Sequence, residues 1–290
     1  MKTTLRNLAK TFLETENDAV ANSCRAAALA ILKNVDGDQS PNALCQQLGF
    51  SYFLGVNSSA KTIKGTKLSY DTLILYLIPA SGSGANFCSH ASLGCKLACL
   101  VNAGRIRMEG AAGSIRISRL LKTWLVTARM DIAVKLIEHD IRKAQSKKRK
   151  FCVRLNGTSD INWLKVSANF PTVQFYDYSK VLSRALRPTE NQHVTFSYAE
   201  DNWQDCRKAY QAGLNIAIPV VASDHQEILG LPGTYEIDST DLRFLDSEYA
   251  PGKRFGILSA KLSDGMQGGI DAGFIANTEM VKAFIAYVTN

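Results

Sequence analysis

From about residue 70 onward, short runs rich in β-branched and aromatic residues alternate with longer helical or loop segments, and this alternation constrains the fold most. The candidate strands are Thr72–Ile78, Phe151–Leu155, Val173–Tyr176, Val194–Tyr198, Asn215–Val221, Gly233–Ile237 and Arg254–Ser259. Between the first two, Ile117, Leu120, Leu121, Trp124, Leu125, Ala128, Ile132, Leu136 and Ile137 recur at helical spacing, which predicts one long helix over Ser114–Lys143. Shorter helices are expected over Ile161–Asn169, Ser179–Ala185 and Asp201–Gly213, the last closed by its glycine. Strands separated by helices pair in parallel through right-handed crossovers. The expected fold class is therefore α/β: a complete or partial parallel β/α barrel over 61–290, preceded by a helical N-terminal extension or cap over 1–60. The alanine-rich stretch Ala19–Asn34 has one apolar face and anchors the helical reading of that extension.

No apolar run approaches the roughly 18 residues that span a bilayer, so no membrane partner is expected. The first residues carry Glu14 and Glu16 and have no apolar signal region, which points to the cytoplasm. With seven cysteines in 290 residues, a reducing compartment that keeps them as thiols is expected rather than a disulfide framework. A net charge of +8 favours an anionic partner, either nucleic acid or a small-molecule or nucleotide-type ligand bearing an acid group. Much of the excess lies in Arg142–Lys150, where no aromatic residue interrupts the lysines as a stacking surface for single strands would require. That run reads as a solvated helix end.

Three cysteines, Cys88, Cys95 and Cys99, fall in the loop that follows the first predicted strand and its Gly/Ser turn. Thiolates are soft ligands suited to zinc and to iron–sulfur clusters. Three of them leave one coordination position for a further ligand, and His90 lies inside the loop. The spacing, Cys-x6-Cys-x3-Cys, differs from the CxxC pairs of zinc ribbons.

In a parallel β/α fold, chemistry gathers at the carboxyl ends of the strands, and polar residues collect there. The second strand runs into Asn156, Thr158, Ser159 and Asp160 around Gly157; the third runs into Asp177, Lys180 and Arg184. The fourth is followed by Ser197–Trp203, the fifth by Ala222–Glu227 with His225, and a late segment Glu236–Asp246 is acidic. His139 is expected on the long helix and His193 on the opposite face, ahead of its strand. Ser-His-Asp spacing, HExxH and GxxxxGK[ST] are all absent.

The stretch Lys64–Arg105, with Val153–Trp163, Phe175–Lys180, His193–Tyr198 and Asp238–Asp246, resembles the bacteriophage gene product 88 family. The resemblance implies a phage-encoded protein of the host cytoplasm and carries no activity of its own. More distantly, the cysteine loop is similar to that of radical S-adenosylmethionine enzymes. Those bind a [4Fe–4S] cluster through three cysteines after the first strand of a partial β/α barrel. Their spacing is Cys-x3-Cys-x2-Cys, and their second-strand GGE pattern is missing here. The likeness implies a cluster on Cys88, Cys95 and Cys99, with S-adenosylmethionine as cofactor. Asn156, Ser159, Asp160, Asp177 and Lys180 are then the expected cofactor and substrate contacts. The alternative is a Zn2+ site of Cys88, His90, Cys95 and Cys99 that stabilises a nucleic-acid-binding protein without catalysis. A third reading is a metal-free factor that binds a host protein.

Overall fold

The computed structural model describes residues 1–99, 105–147, 149–261 and 263–290. Lys148 of the basic run and residues 100–104 just after Cys99 lie outside them. Eight strands form one sheet: β1 (Gly55–Val56), β2 (Tyr70–Ile74), β3 (Lys150–Arg154), β4 (Gln174–Ser179), β5 (Gln192–Ser197), β6 (Ile216–Val220), β7 (Thr234–Glu236) and β8 (Phe255–Ser259). Their order is β1-β2-β3-β4-β5-β6-β8-β7. Every pair is parallel except β1 with β2.

All seven sequence-predicted strands are present, but the complete barrel is not. The sheet is open, with β1 at one edge and β7 at the other. β8 inserts between β6 and β7, which leaves β7 at the edge, and no pairing among the described residues joins it to β1. β1 was not anticipated, because a two-residue strand has no periodicity to read.

The pleat sorts the sheet's side chains into two environments. One face carries large apolar residues. Leu73, Val153 and Phe175 share a core with the N-terminal helices (Lys2–Glu14, Asp18–Lys33, Pro41–Leu48) and with Leu120, Trp124 and Leu136. Farther along, Phe196, Ile216, Ile218 and Ile257 pack under helices Trp203–Gln211 and Thr278–Thr289. The other face holds smaller groups and ring hydroxyls: Cys152 and Tyr176 meet Leu242, and Ala217 meets Tyr235 and Ile237.

The single helix expected over Ser114–Lys143 is two, Ser114–Ala128 and Met130–Gln145, broken at Arg129 (φ −146°, ψ 72°). Apolar spacing continues through the break, so periodicity could not show it. Arg129 serves a distant loop: its guanidinium binds the Val35 carbonyl and chelates Asp131. One turn on, Lys135 Nζ donates to the carbonyls of Gly37 (2.6 Å) and Gln39 (2.8 Å). At the far end of this helix Arg142 pairs with Glu138 at 3.0 Å, and beyond it Arg149 pairs with Asp71 at 3.2 Å.

Lys122, on the first of these helices, is 8% exposed. Its ammonium lies 5.6–5.8 Å from the ring centres of Phe50, Tyr52 and Phe53. Burial pushes its pKa down to about 8; Asp140 opposes the shift and Arg119 adds to it. The unfolded chain therefore holds the extra proton between about pH 8 and 10.5, and this group makes stability rise with pH across that window. Lys122→Met is expected to gain about 2 kcal/mol at pH 7 and to flatten that rise, because the cost of burying the charge disappears. Urea denaturation of both proteins at pH 7 to 10 checks it; equal slopes against pH would contradict the assignment.

Candidate functional site

A cavity of about 290 Å³ opens at the carboxyl ends of the parallel strands, and Cys88, Cys95 and Cys99 all line it. The turn Asn156–Asp160 after β3 and the residues Tyr178, Ser179 and Lys180 of β4 and its end form the adjoining wall. Asp238, Asp241, Lys261, Phe274 and Ile275 are among the other residues that line it.

The cysteine loop is fixed by close packing and by one carboxylate. Cys95 sits in a short helix, Leu93–Leu97, whose first turn is capped by Ser92 Oγ accepting from Cys95 N at 3.1 Å. Ser92 Oγ donates to Glu200 Oε2 (2.7 Å), and Gly94 N donates to Glu200 Oε1 (2.8 Å). Glu200 follows β5, so the strand end grips the helix carrying the thiol. Neither glycine at this contact can grow a side chain. A Cβ on Gly94 would stand 2.5 Å from Phe274 Cβ, and one on Gly265 would stand 1.9 Å from the Leu97 carbonyl oxygen.

Burial pushes the Cys88 thiol up to about 11; a backbone hydrogen bond at Ala80 opposes this, and Cys99, Cys95 and Asp160 add to it. Cys88 therefore keeps its proton at neutral pH. Its Sγ lies 3.7 Å from the Thr158 carbonyl, which it approaches as a donor. Among the described residues, no group of three or more His, Cys, Asp or Glu side chains stands in an arrangement that would hold a metal ion. His90 is exposed, with Nδ1 2.9 Å from Ser89 Oγ, and does not line the cavity.

Of the five expected contacts, Asn156, Ser159, Asp160 and Lys180 line the cavity and Asp177 does not. Asp177 is 2% exposed and accepts from Asn156 N (3.0 Å) and Asn156 Nδ2 (3.1 Å). Burial pushes its carboxyl up to about 6 against the pull of Arg184 and Arg154. Asn156 Oδ1 in turn accepts from Ser159 Oγ at 2.9 Å and Ile161 N at 3.1 Å. Asp160 takes Lys180 N (2.8 Å), Ser179 Oγ (2.9 Å) and the Arg184 guanidinium. Its own N–H donates to the Phe87 carbonyl at 2.8 Å, one residue before Cys88. Arg184 is 6% exposed and also faces Asp177 at 3.8 Å, so it is committed to this network. Lys180 differs: its ammonium lies 5.2 Å over the Phe274 ring and has no carboxylate partner among the described residues.

A second set was not singled out from sequence. Arg154, the last residue of β3, pairs with Asp241 at 2.7 Å and stacks 4.7 Å over Tyr178. Tyr176 donates to the same carboxylate at 3.0 Å, and Asp238 accepts from Ser259 N at 2.7 Å. The acidic segment after β7 carried the only sequence signal for this wall. His225 Nε2 lies 3.9 Å from Asp238 but outside the lining, and His193 sits at the amino end of β5, away from the cavity.

A family model described as Gene product 88 matches residues 53–277, and the chain belongs to that family. No curated protein and no solved structure matches the chain.

Asp160→Ala is expected to cost about 3 kcal/mol, because it takes the closest carboxylate from a buried guanidinium and leaves only Asp177 at 3.8 Å. Lys180→Ala should stay within about 1 kcal/mol of the parent, losing only a ring contact. Chemical denaturation of the two variants checks the contrast, and equal stability of both would contradict the network reading.

Proposed function

We propose that this Gene product 88 protein is an iron–sulfur protein, with a three-thiolate [4Fe–4S] cluster on Cys88, Cys95 and Cys99 serving a small acidic molecule bound in the cavity. The observation that carries the reading is that all three thiols of one twelve-residue segment line a single cavity at the strand ends. The donor set suits the group: soft thiolates bind one iron each, so they need not converge on a common point as the ligands of one zinc must, at about 2.3 Å. His90, which a closed zinc site would recruit, points its ring nitrogen at Ser89. When bound, such a cluster supplies one-electron chemistry at an iron that no protein thiolate covers.

The chain's own residues would then bind and orient. Lys180 holds the ligand's acid group, its position set by the Phe274 ring and by Asp160 at its own N–H. Arg154 offers a second cation whose Nε has no acceptor among the described residues. The aromatic lining of Tyr178, Tyr198 and Phe274 limits water. Asn156, Ser159, Asp160 and Asp177 shape the wall from within. Cluster assembly must remove the Cys88 proton, so loading releases acid and is favoured at higher pH.

In this reading the open sheet is a partial β/α barrel that works at its carboxyl face, as in the radical S-adenosylmethionine enzymes that the cysteine loop resembles, with S-adenosylmethionine as the first ligand to test. The host cytoplasm keeps the thiols reduced. Among the described residues, no helix is long and apolar enough to cross a membrane.

Protein purified without oxygen is expected to be brown, with about four irons and four sulfides per chain. Cys88→Ala, Cys95→Ala and Cys99→Ala should each lose most of the iron. Cys206→Ala, a change in a helix outside the cavity lining, should keep it. One zinc per chain with no labile sulfide would contradict the proposal.

A further inference from the structure

A second cavity, about 730 Å³, lies along the edge strand β7 and shares no lining residue with the first. Lys64, Lys67, Arg243 and Lys253 bring four cations to its wall, against two carboxylates, Glu236 and Asp246. Both acids are already engaged. Glu236 accepts from the backbone N–H groups of Asp238 and Ser239. Asp246 accepts from Tyr235 Oη at 2.8 Å and faces Arg243 at 3.4 Å.

Arg243 is the unusual member. It is 1% exposed, yet its Nε and Nη1 have no hydrogen-bond acceptor among the described residues. Its Nη2 donates to the Thr240 carbonyl, Asp246 meets Nη1 only as an ion pair at 3.4 Å, and Asp241 acts on it as well, yet the Nε donor stays unmet in a buried position, which favours an incoming anion. Lys67 and Lys253 are exposed and have no carboxylate partner among the described residues. Ser239 and Thr240 add hydroxyls, and Tyr249, 58% exposed, lines the same cavity.

We propose that this cavity binds a nucleotide, its phosphates held by Lys67 and Lys253 over the field of Arg243 and its base against Tyr249. Multiply charged phosphate oxygens match two free ammonium groups and a buried guanidinium. An exposed ring beside them supplies the flat apolar contact that inorganic phosphate would not use. The site is independent of any cluster, so its success or failure says nothing about the thiols.

The test is calorimetric titration of the full chain with ADP, pyrophosphate and adenosine. The proposal expects ADP to bind one site and to weaken as salt rises. Lys67→Ala/Lys253→Ala should weaken ADP at least about tenfold, the loss of two charge-assisted contacts. Tyr249→Ala should weaken ADP but not pyrophosphate, and adenosine alone should give no saturable binding. Three results would overturn it: no ADP binding at millimolar concentration, binding unchanged in the double variant, or pyrophosphate binding as tightly as ADP. Loss of ADP binding in Lys180→Ala, with the double variant unaffected, would move the nucleotide to the first cavity and also overturn it.

Discussion

Arg184 is a cation sealed inside the protein, and the geometry of the first cavity follows from how it is compensated. Asp160 and Asp177 approach it from two successive strand ends, and Ser179 Oγ accepts its Nε–H at 3.1 Å. Burying a guanidinium is unfavourable unless its donors are met, and leaving it unpaired costs several kcal/mol. The β3 and β4 ends therefore have little freedom to part. Because Asp160 also donates through its backbone to Phe87, the constraint reaches the residue before Cys88. A charge network thus sets where the first thiol stands, although no member of it is a thiol.

The second thiol is placed by different physics. Glu200 meets the amino end of the Leu93–Leu97 helix, where an acid is favoured by the unpaired N–H groups. The end of the helix at Leu97 lies against Gly265 so closely that any side chain there would collide with its backbone. Electrostatic capping and steric contact together hold that helix in place. The sheet beneath serves both devices: its helix-covered face supplies the apolar core, and its other face spares room for polar groups that face the cavity.

The strands could be read from the sequence because each is a short apolar run bounded by turns, and parallel pairing follows from the helices between them. Strand order could not, since nothing local to Gly233–Ile237 says that Arg254–Ser259 will insert beside it. The helix break at Arg129 escaped for a related reason: the apolar stripe continues through it, and its cause is a set of carbonyls in the distant loop before Pro41. In the site, the thiols and the turn Asn156–Asp160 stood out as clustered polar types after strands. Whether a polar side chain faces the cavity or a buried partner is decided by residues far along the chain. Asp177 turns to Asn156 and Arg184, while Arg154 finds Asp241 across the sheet. Glu200 looked like one acid among several in a loop until Ser92 and Gly94 were brought to it.

The most direct test of the central claim is anomalous scattering at the iron edge from crystals grown without oxygen. The account predicts one compact iron site bonded to the Sγ atoms of Cys88, Cys95 and Cys99. A cavity whose only anomalous peak belongs to zinc, or an iron peak away from these three sulfurs, would contradict it.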